Sequence, residues 1–130
     1  MKKYKVQILT EEYSVNVFIG TKDECVREGA RYTSFSQSNI SDDFQGRGCA
    51  YCLYPKKHPL ILIDGSLDKA TAIATLAHEA NHAMDYLMGY VKINSDEFRS
   101  HGIAAILRTV LKSIIKIDSS RMTHKNSKQA

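Results

Sequence analysis

The stretch around which this chain is organised is Leu76-Ala77-His78-Glu79-Ala80-Asn81-His82-Ala83-Met84-Asp85, which contains the motif His-Glu-x-x-His. Side chains four positions apart lie on one face of an α-helix, so His78 and His82 can direct two imidazoles at one metal ion. Glu79 is turned by about 100° from His78, which allows its carboxylate to reach a water molecule beside that ion. Two ligands, a base and an open coordination position are what a zinc hydrolase needs.

The helix that carries this motif is amphipathic. We predict it from about Leu67 to Gly89, with Ser66 as its N-cap. On an ideal helical wheel, His78 and His82 lie about 160° from the centre of the apolar stripe. The pattern therefore predicts a helix that packs on a sheet with one face and presents both histidines to a cleft with the other. The stripe consists of Ile73, Leu76, Ala77, Ala80, Met84, Leu87, Met88 and Val91.

Length and composition favour a single soluble domain. The chain has 130 residues, of which 43% are hydrophobic and 25% are charged, values that are ordinary for a globular protein. No apolar run reaches the roughly 18 residues needed to cross a bilayer, and the alternating residues after Met1 are unlike a signal peptide. Three cysteines give no disulfide framework. We expect a cytoplasmic protein with no membrane partner.

The net charge of +4 is concentrated at the two ends of the chain. Residues 119–130 are polar and basic and lack periodicity, so we predict one domain over residues 1–118 followed by a disordered tail. Basic ends can contact nucleic acid, but solvated lysines are the commoner meaning of such termini, so a nucleic-acid partner is only weakly supported.

The segments before the motif helix predict a small sheet. Lys5–Leu9 and Tyr13–Ile19 alternate between polar and apolar residues and predict two strands joined by a turn at residues 10–12. Cys49–Tyr54 predicts a third strand. Leu60–Ile63 is an unbroken apolar run that predicts a buried strand, and it could form the edge of the cleft, where a peptide would add as a further strand.

A helix and a loop are predicted between these strands. Thr21 and Glu24 have the spacing of a capping box, which predicts a helix that begins there and ends near Tyr32. Residues 34–48 are rich in Ser, Asp, Asn and Gly and predict a loop.

A second long helix, predicted from about Asn94 to Ile117, offers the further ligand that a catalytic zinc ion needs. Glu97, fifteen residues beyond His82, is the first candidate. A competing interpretation places Glu97 in a capping box with Asn94. His101 lies one turn beyond Glu97 on the same face and could itself coordinate the metal. If Glu97 is the ligand, His101 is placed to support the site or to polarise a substrate carbonyl.

The other metal-binding residue types have simpler interpretations. Cys49-x-x-Cys52 resembles half of a zinc ribbon, but the second Cys pair is absent. Residues three apart on a strand point to opposite faces, so these cysteines are interpreted as structural. His58 is interpreted as a loop residue and His124 as a tail residue. Asp85 could orient His82 or face solvent, and the sequence leaves that choice open.

The stretch from Thr75 to Ala83 resembles the zincin metallopeptidase helix. The order of the Leu60–Ile63 strand, the motif helix and Asp96-Glu97-Phe98-Arg99-Ser100-His101 is similar to small zinc metallopeptidases encoded by bacteriophages and prophages. This resemblance, over roughly residues 60–111, implies an α+β, minimal zincin-like fold with a mostly antiparallel sheet packed against the active-site helix and a following long helix. It also implies a gluzincin-type site of His78, His82 and Glu97. That pattern more often has Tyr at position 101, so His101 is a departure.

A second resemblance involves the pair His101-Gly102, which is similar to the His-Gly pair of SprT-like metalloproteases. In those proteins the histidine is the third ligand. Here the spacing from His82 is longer, and the apolar stripe places Gly102 inside a helix rather than at its start, so Glu97 is preferred.

The activity that follows is hydrolysis of peptide bonds in a peptide or protein substrate. Zn²⁺ is the expected cofactor, because it lowers the pKa of water, and Glu79 is the expected general base. If the chain is phage-encoded, the expected location is the host cytoplasm. Two alternatives stay open: a non-catalytic binding or regulatory protein on a zincin scaffold, and a DNA-associated protease with His101 as third ligand.

Overall fold

A computed structural model describes the backbone of residues 1–45, 47–51 and 58–129, with side chains except those of residues 11 and 113–129. Within these ranges the fold is α+β, with four strands and four helices. The elements in chain order are β1 (Lys2–Ile8), β2 (Thr10–Gly20), α1 (Lys22–Thr33), α2 (Gln37–Phe44), β3 (Gly48–Tyr51), β4 (Leu60–Asp64), α3 (Lys69–Val91) and α4 (Asp96–Gln129).

The four strands form one mixed sheet in the order β1-β2-β4-β3. β1 pairs with β2 and β3 pairs with β4 in antiparallel orientation, whereas β2 and β4 are parallel. The expected α+β class is confirmed, and two of the three pairings are antiparallel. The parallel pairing arises because α1, α2 and β3 lie between β2 and β4 in the chain and return it to the same end of the sheet.

β4 is buried on both faces of the sheet, as its unbroken apolar run predicts for an interior strand. Ile61 and Ile63 contribute to the core under α3 and α4, and Leu60 and Leu62 to the core under α1 and α2. The prediction that β4 forms the edge of the cleft is therefore wrong. The edge strand on this side of the sheet is β3.

The first two strands are longer than their alternation suggested. The predicted turn at residues 10–12 is wrong, because those residues belong to β2. The chain reverses instead at Leu9, whose φ is 65° and whose side chain is exposed. Of the predicted third strand, residues 49–51 lie in β3, which begins one residue earlier at Gly48, and residues 52–54 lie outside the described residues.

Helix α1 begins at the predicted capping box, in which the side chains of Thr21 and Glu24 each accept a hydrogen bond from the other's backbone N–H. The prediction of a continuous loop after it is wrong, because residues 37–44 form α2. Ile40 and Phe44, four positions apart, are fully buried against the sheet. That one apolar pair on an otherwise polar helix is what anchors α2.

Helix α3 begins later than predicted. Its N-cap is Asp68, whose carboxylate accepts a hydrogen bond from the backbone N–H of Thr71 at 2.9 Å. Ser66 instead donates its backbone N–H and its hydroxyl to the carboxylate of Asp64. The motif helix is therefore entered through an Asx turn, which stabilises the connection from β4.

Helix α4 has a helical backbone to Gln129, past the Ile117 end that its apolar stripe predicted. The division into a domain of residues 1–118 and a disordered tail of residues 119–130 stays a prediction. No helix within the described residues combines the length and the apolar character that a bilayer crossing requires.

Two glycines allow a matched test of the packing between β3 and α3. A Cβ on Gly48 would lie 2.6 Å from the carbonyl oxygen of Leu62 and 3.1 Å from Cγ2 of Thr75, whereas a Cβ on Gly89 would meet nothing within 4 Å. We expect Gly48→Ala to lower the free energy of unfolding by about 1–3 kcal/mol. Gly89→Ala should raise it by about 0.5–1 kcal/mol, because alanine loses less backbone entropy in a helix. Urea unfolding measures both, and equal midpoints for the two variants would contradict the packing described.

Candidate metal centre

The two histidines of the motif lie side by side on α3. Their Nε2 atoms are 3.2 Å apart, and their rings meet edge to face with centroids 4.7 Å apart. Two nitrogens that bind one tetrahedral zinc ion at about 2.0–2.1 Å lie about 3.3 Å apart. The spacing of His78 and His82 therefore fits two ligands of one zinc ion.

The histidines face away from the sheet, as the helical wheel predicted. The His78 side chain is 68% exposed, and His82 is half-buried. The stripe residues on the other side of α3, among them Leu76, Ala80 and Met84, are buried in the core. The imidazole nitrogens that the motif predicts as metal ligands can thus be reached from solvent without any opening of the core.

Glu79 is buried, with 8% of its surface exposed, and its Oε1 lies 3.9 Å from Nε2 of His78. Burial raises the pKa of the Glu79 carboxyl, and the neighbouring His78 and His82 oppose that effect. The motif spacing alone did not predict this burial. The carboxylate lies between the exposed histidine face and the buried stripe, next to the imidazoles but shielded from bulk water.

A cleft of about 1000 Å³ runs along the motif helix. One wall is formed by the first turns of α3 and includes Thr75, His78 and Glu79. The facing wall is formed by the end of α2 and the start of β3, with Asp43 and Arg47 at its surface. A second cavity, of about 510 Å³, lies between the start of β1 and the start of α3 and contains none of the predicted site residues. The cleft beside Glu79 therefore contains two residues of the motif, His78 and Glu79.

Glu97 is not brought to the histidine pair in this arrangement. Arg99 of α4 contacts the polar face of α3, where its Nη1 donates to Oδ1 of Asn81 at 3.1 Å and its guanidinium pairs with Asp85. Residues two apart on a helix are separated by about 200°, so Glu97, two positions before Arg99, points away from that face. Glu97 is accordingly exposed.

The same geometry applies to His101, which is two positions after Arg99 and is also exposed. Gly102 lies inside α4 and packs against Met84, as the apolar stripe predicted. Across the described ranges, no three His, Cys, Asp or Glu side chains converge closely enough to hold a metal ion. Glu97 as the third ligand stays a prediction, because the structure does not bring this residue to the histidine pair.

Glu97 does not form the predicted capping box with Asn94 either. The hydroxyl that accepts a hydrogen bond from the first turn of α4 belongs to Ser95, at 3.3 Å from the backbone nitrogen of Phe98. Asn94 therefore lies outside the cap, and Glu97 is one position short of a capping box.

Arg99 is the residue that the sequence reasoning missed. It pairs with Asp85, for which the sequence left the choice between His82 and solvent open, and the Asp85 side chain is 46% exposed. Asn81 and Asp85 are four positions apart and so share one face of α3, which was a signal for a polar contact there. To identify Arg99 as the partner, one must know how α4 is rotated about its axis relative to α3, and the sequence alone does not provide that rotation.

The remaining candidates lie away from the histidine pair. His58 is half-buried, and its Nδ1 is 3.0 Å from the hydroxyl of the buried Ser14. Cys49 is buried, and burial raises the pKa of its thiol to about 12, which keeps it protonated and unreactive. Cys52 and the side chain of His124 lie outside the described residues.

No protein-family model, curated protein or solved structure matches this chain.

Proposed function

We propose that this chain is a zinc-dependent peptidase with a minimal zincin-like fold, in which His78 and His82 hold the metal and Glu79 is the general base. The observation that carries the proposal is the 3.2 Å separation of the two Nε2 atoms, beside a buried carboxylate and along a cleft. A helix face that only contacts solvent does not require paired imidazoles beside a buried carboxylate and a cleft.

Each protein group has a defined task in this reaction. When bound, zinc would polarise water and the scissile carbonyl. Glu79 accepts the proton of the attacking water and passes it to the leaving amine. Its burial supports this role, because a raised pKa brings a carboxyl closer to the proton affinity that a base needs near neutral pH.

The cleft supports a peptide as the substrate. β3 forms one wall and is an edge strand, since within the described residues it pairs only with β4. An extended peptide can add to such an edge through main-chain hydrogen bonds, which places its backbone beside α3. This assigns to β3 the edge-strand role that the sequence had suggested for β4.

The third ligand is the open part of the proposal. Glu97 and His101 are the residues that the motif order favours, and Glu97→Gln and His101→Ala test each in turn. If either variant loses stoichiometric zinc, that residue coordinates the metal. If both retain it, the ligand comes from elsewhere.

The experiment begins with metal-stripped protein and measures zinc binding by competition with a chromophoric chelator. We expect a stoichiometric site in the wild type. His78→Ala or His82→Ala should weaken it by more than about 100-fold, beyond the usual cost of losing a supporting partner outside the coordination sphere. The zinc-loaded protein should cleave a complex peptide mixture, with products identified by mass spectrometry. Absence of a zinc site, or cleavage by the histidine variants equal to that of the wild type, would contradict the proposal.

A second candidate function is a non-catalytic binding protein on the same scaffold. It is favoured by one observation, which is that the described residues supply two clustered ligands rather than three. A chain that binds zinc but cleaves no peptide would support it. The DNA-associated alternative is less favoured, because His101-Gly102 lies within α4 rather than at the start of a helix.

The proposed location is the cytoplasm, or the host cytoplasm for a phage-encoded chain. Cys25 and Cys49 are buried and free, which is compatible with a reducing compartment.

A further inference from the structure

The histidine pair is an incomplete metal site. Zinc in proteins is usually four-coordinate, and even open catalytic sites have three protein ligands. His78 and His82 supply two, and the described residues place no third His, Cys, Asp or Glu side chain with them.

Helix α4 is held in a position that keeps its own candidates away. Phe98 is buried in the core, and Gly102 packs so closely on Met84 that a Cβ there would overlap it. Arg99 adds the contacts to Asn81 and Asp85. A rotation of α4 that turned Glu97 toward the histidines would disturb these contacts.

The face of α3 around the histidines is partly open to another molecule, since Arg99 of α4 contacts it through Asn81 and Asp85. Ala74, His78, Asn81, Asp85 and Gly89 are all exposed, and they follow one another along one side of the helix. Small residues stand near both ends of this face, and the space beside Gly89 is empty to at least 4 Å. A second helix can therefore approach closely at Ala74 and Gly89, near the two ends of this face.

We propose that a second copy of this chain completes the site, with one zinc ion held by His78 and His82 of both copies. Two pairs related by a two-fold axis through the metal give four imidazole ligands, the usual coordination number of zinc. Such an interface is isologous, so the same exposed face of α3 serves on both sides.

The effect of this dimer on hydrolysis rests on the proposed function. Four protein ligands leave no position for water, so the bridged dimer is a latent form, and the active form is the single chain with the third ligand and open position that the proposed function requires. Hydrolysis per chain should then fall as the chain concentration rises at a fixed ratio of zinc to chain.

The test is analytical ultracentrifugation of the metal-stripped full-length chain during a zinc titration. We expect a monomer without zinc and a dimer that is complete at one zinc ion per two chains. His78→Ala and His82→Ala should stay monomeric, with circular dichroism used to verify their fold. Glu79→Gln is the matched control, because it leaves both ligands in place and should form the same dimer.

A second variant tests the face rather than the ligands. Ala74→Arg adds bulk and charge beside His78 while both histidines remain, and it should weaken zinc-dependent dimerisation by tenfold or more. A monomer that holds one zinc ion per chain, a dimer that forms without zinc, or a zinc-dependent dimer of His78→Ala would each overturn the inference.

The outcome separates this inference from the proposed function. If a monomeric zinc complex cleaves peptides and no dimer forms, the bridged dimer is wrong and the peptidase stands. If zinc dimerises the chain and neither form cleaves peptides at any concentration, the dimer stands and the peptidase is wrong.

Discussion

Glu79→Gln is expected to lower peptide hydrolysis by about 10²- to 10⁴-fold, which is the usual contribution of a positioned general base. Glutamine has nearly the same shape but cannot accept the proton of the attacking water. The zinc content should stay at the wild-type value, because Glu79 lies beside the histidine pair and is not one of the two clustered nitrogen ligands. Initial rates of peptide cleavage and metal analysis of the same sample measure both quantities.

The control is Asp23→Asn, which removes an exposed carboxylate from α1 on the other face of the sheet and should leave hydrolysis unchanged. Full activity in Glu79→Gln would remove Glu79 from the mechanism. Loss of zinc from that variant would instead show that the carboxylate holds the metal.

The same variant has a predictable effect on the stability of the metal-free chain. Burial raises the pKa of Glu79 above its value in the unfolded chain, so the folded state binds the proton more tightly and stability falls as the pH rises through this range. Glutamine avoids that cost. At pH 7 the variant should therefore be at least as resistant to urea as the wild type, and any advantage should disappear in acid, where Glu79 is protonated.

Phe44→Ala is expected to lower the free energy of unfolding by about 3–5 kcal/mol, the usual cost of removing a fully buried aromatic side chain. Phe44 is completely buried beneath α2. A domain of this size has a total stability of roughly 6–20 kcal/mol, so the loss is a large fraction of the whole. Urea unfolding followed by circular dichroism measures it.

Phe35→Ala is the matched control, because Phe35 is 44% exposed and contacts Tyr51 only edge to face. It should cost no more than about 1.5 kcal/mol. Equal losses in the two variants would mean that α2 is not anchored through Phe44.

Helix α2 also shows where reasoning from the sequence fails. The polar residues around Ile40 and Phe44 indicate a loop, and two apolar residues four apart are too few to establish a helical period. The pair favours a helix only when a sheet lies beneath it, because burial of both side chains then stabilises the helical turn between them.

The motif helix was predictable because its signals are local. The apolar stripe of α3 extends over many turns, so the orientation of His78 and His82 follows from helical geometry alone. The burial of β4 was likewise predictable from its own residues. Its place in the sheet was not, since strand order depends on partners far away in the chain.

The position of the proposed third ligand was predictable only in part. Residue spacing correctly placed Glu97 near the start of a second helix, but the rotation of α4 about its axis is determined by Phe98 and Gly102, which pack against the core and Met84. A change of about 100°, the angle of one residue, would alter which side chain meets α3. Sequence patterns do not determine a helix phase that closely.

The parallel pairing of β2 with β4 has a consequence for how the chain folds. Asn16 is in register with Leu60, so this pairing must close a long stretch of chain before it contributes any stability. Contacts of such sequence separation slow folding. The two walls of the cleft, β3 and α3, come before and after β4 in the chain. The site should therefore form only after β4 has paired with β2. A nascent chain that ends before α3 lacks both histidines of the motif.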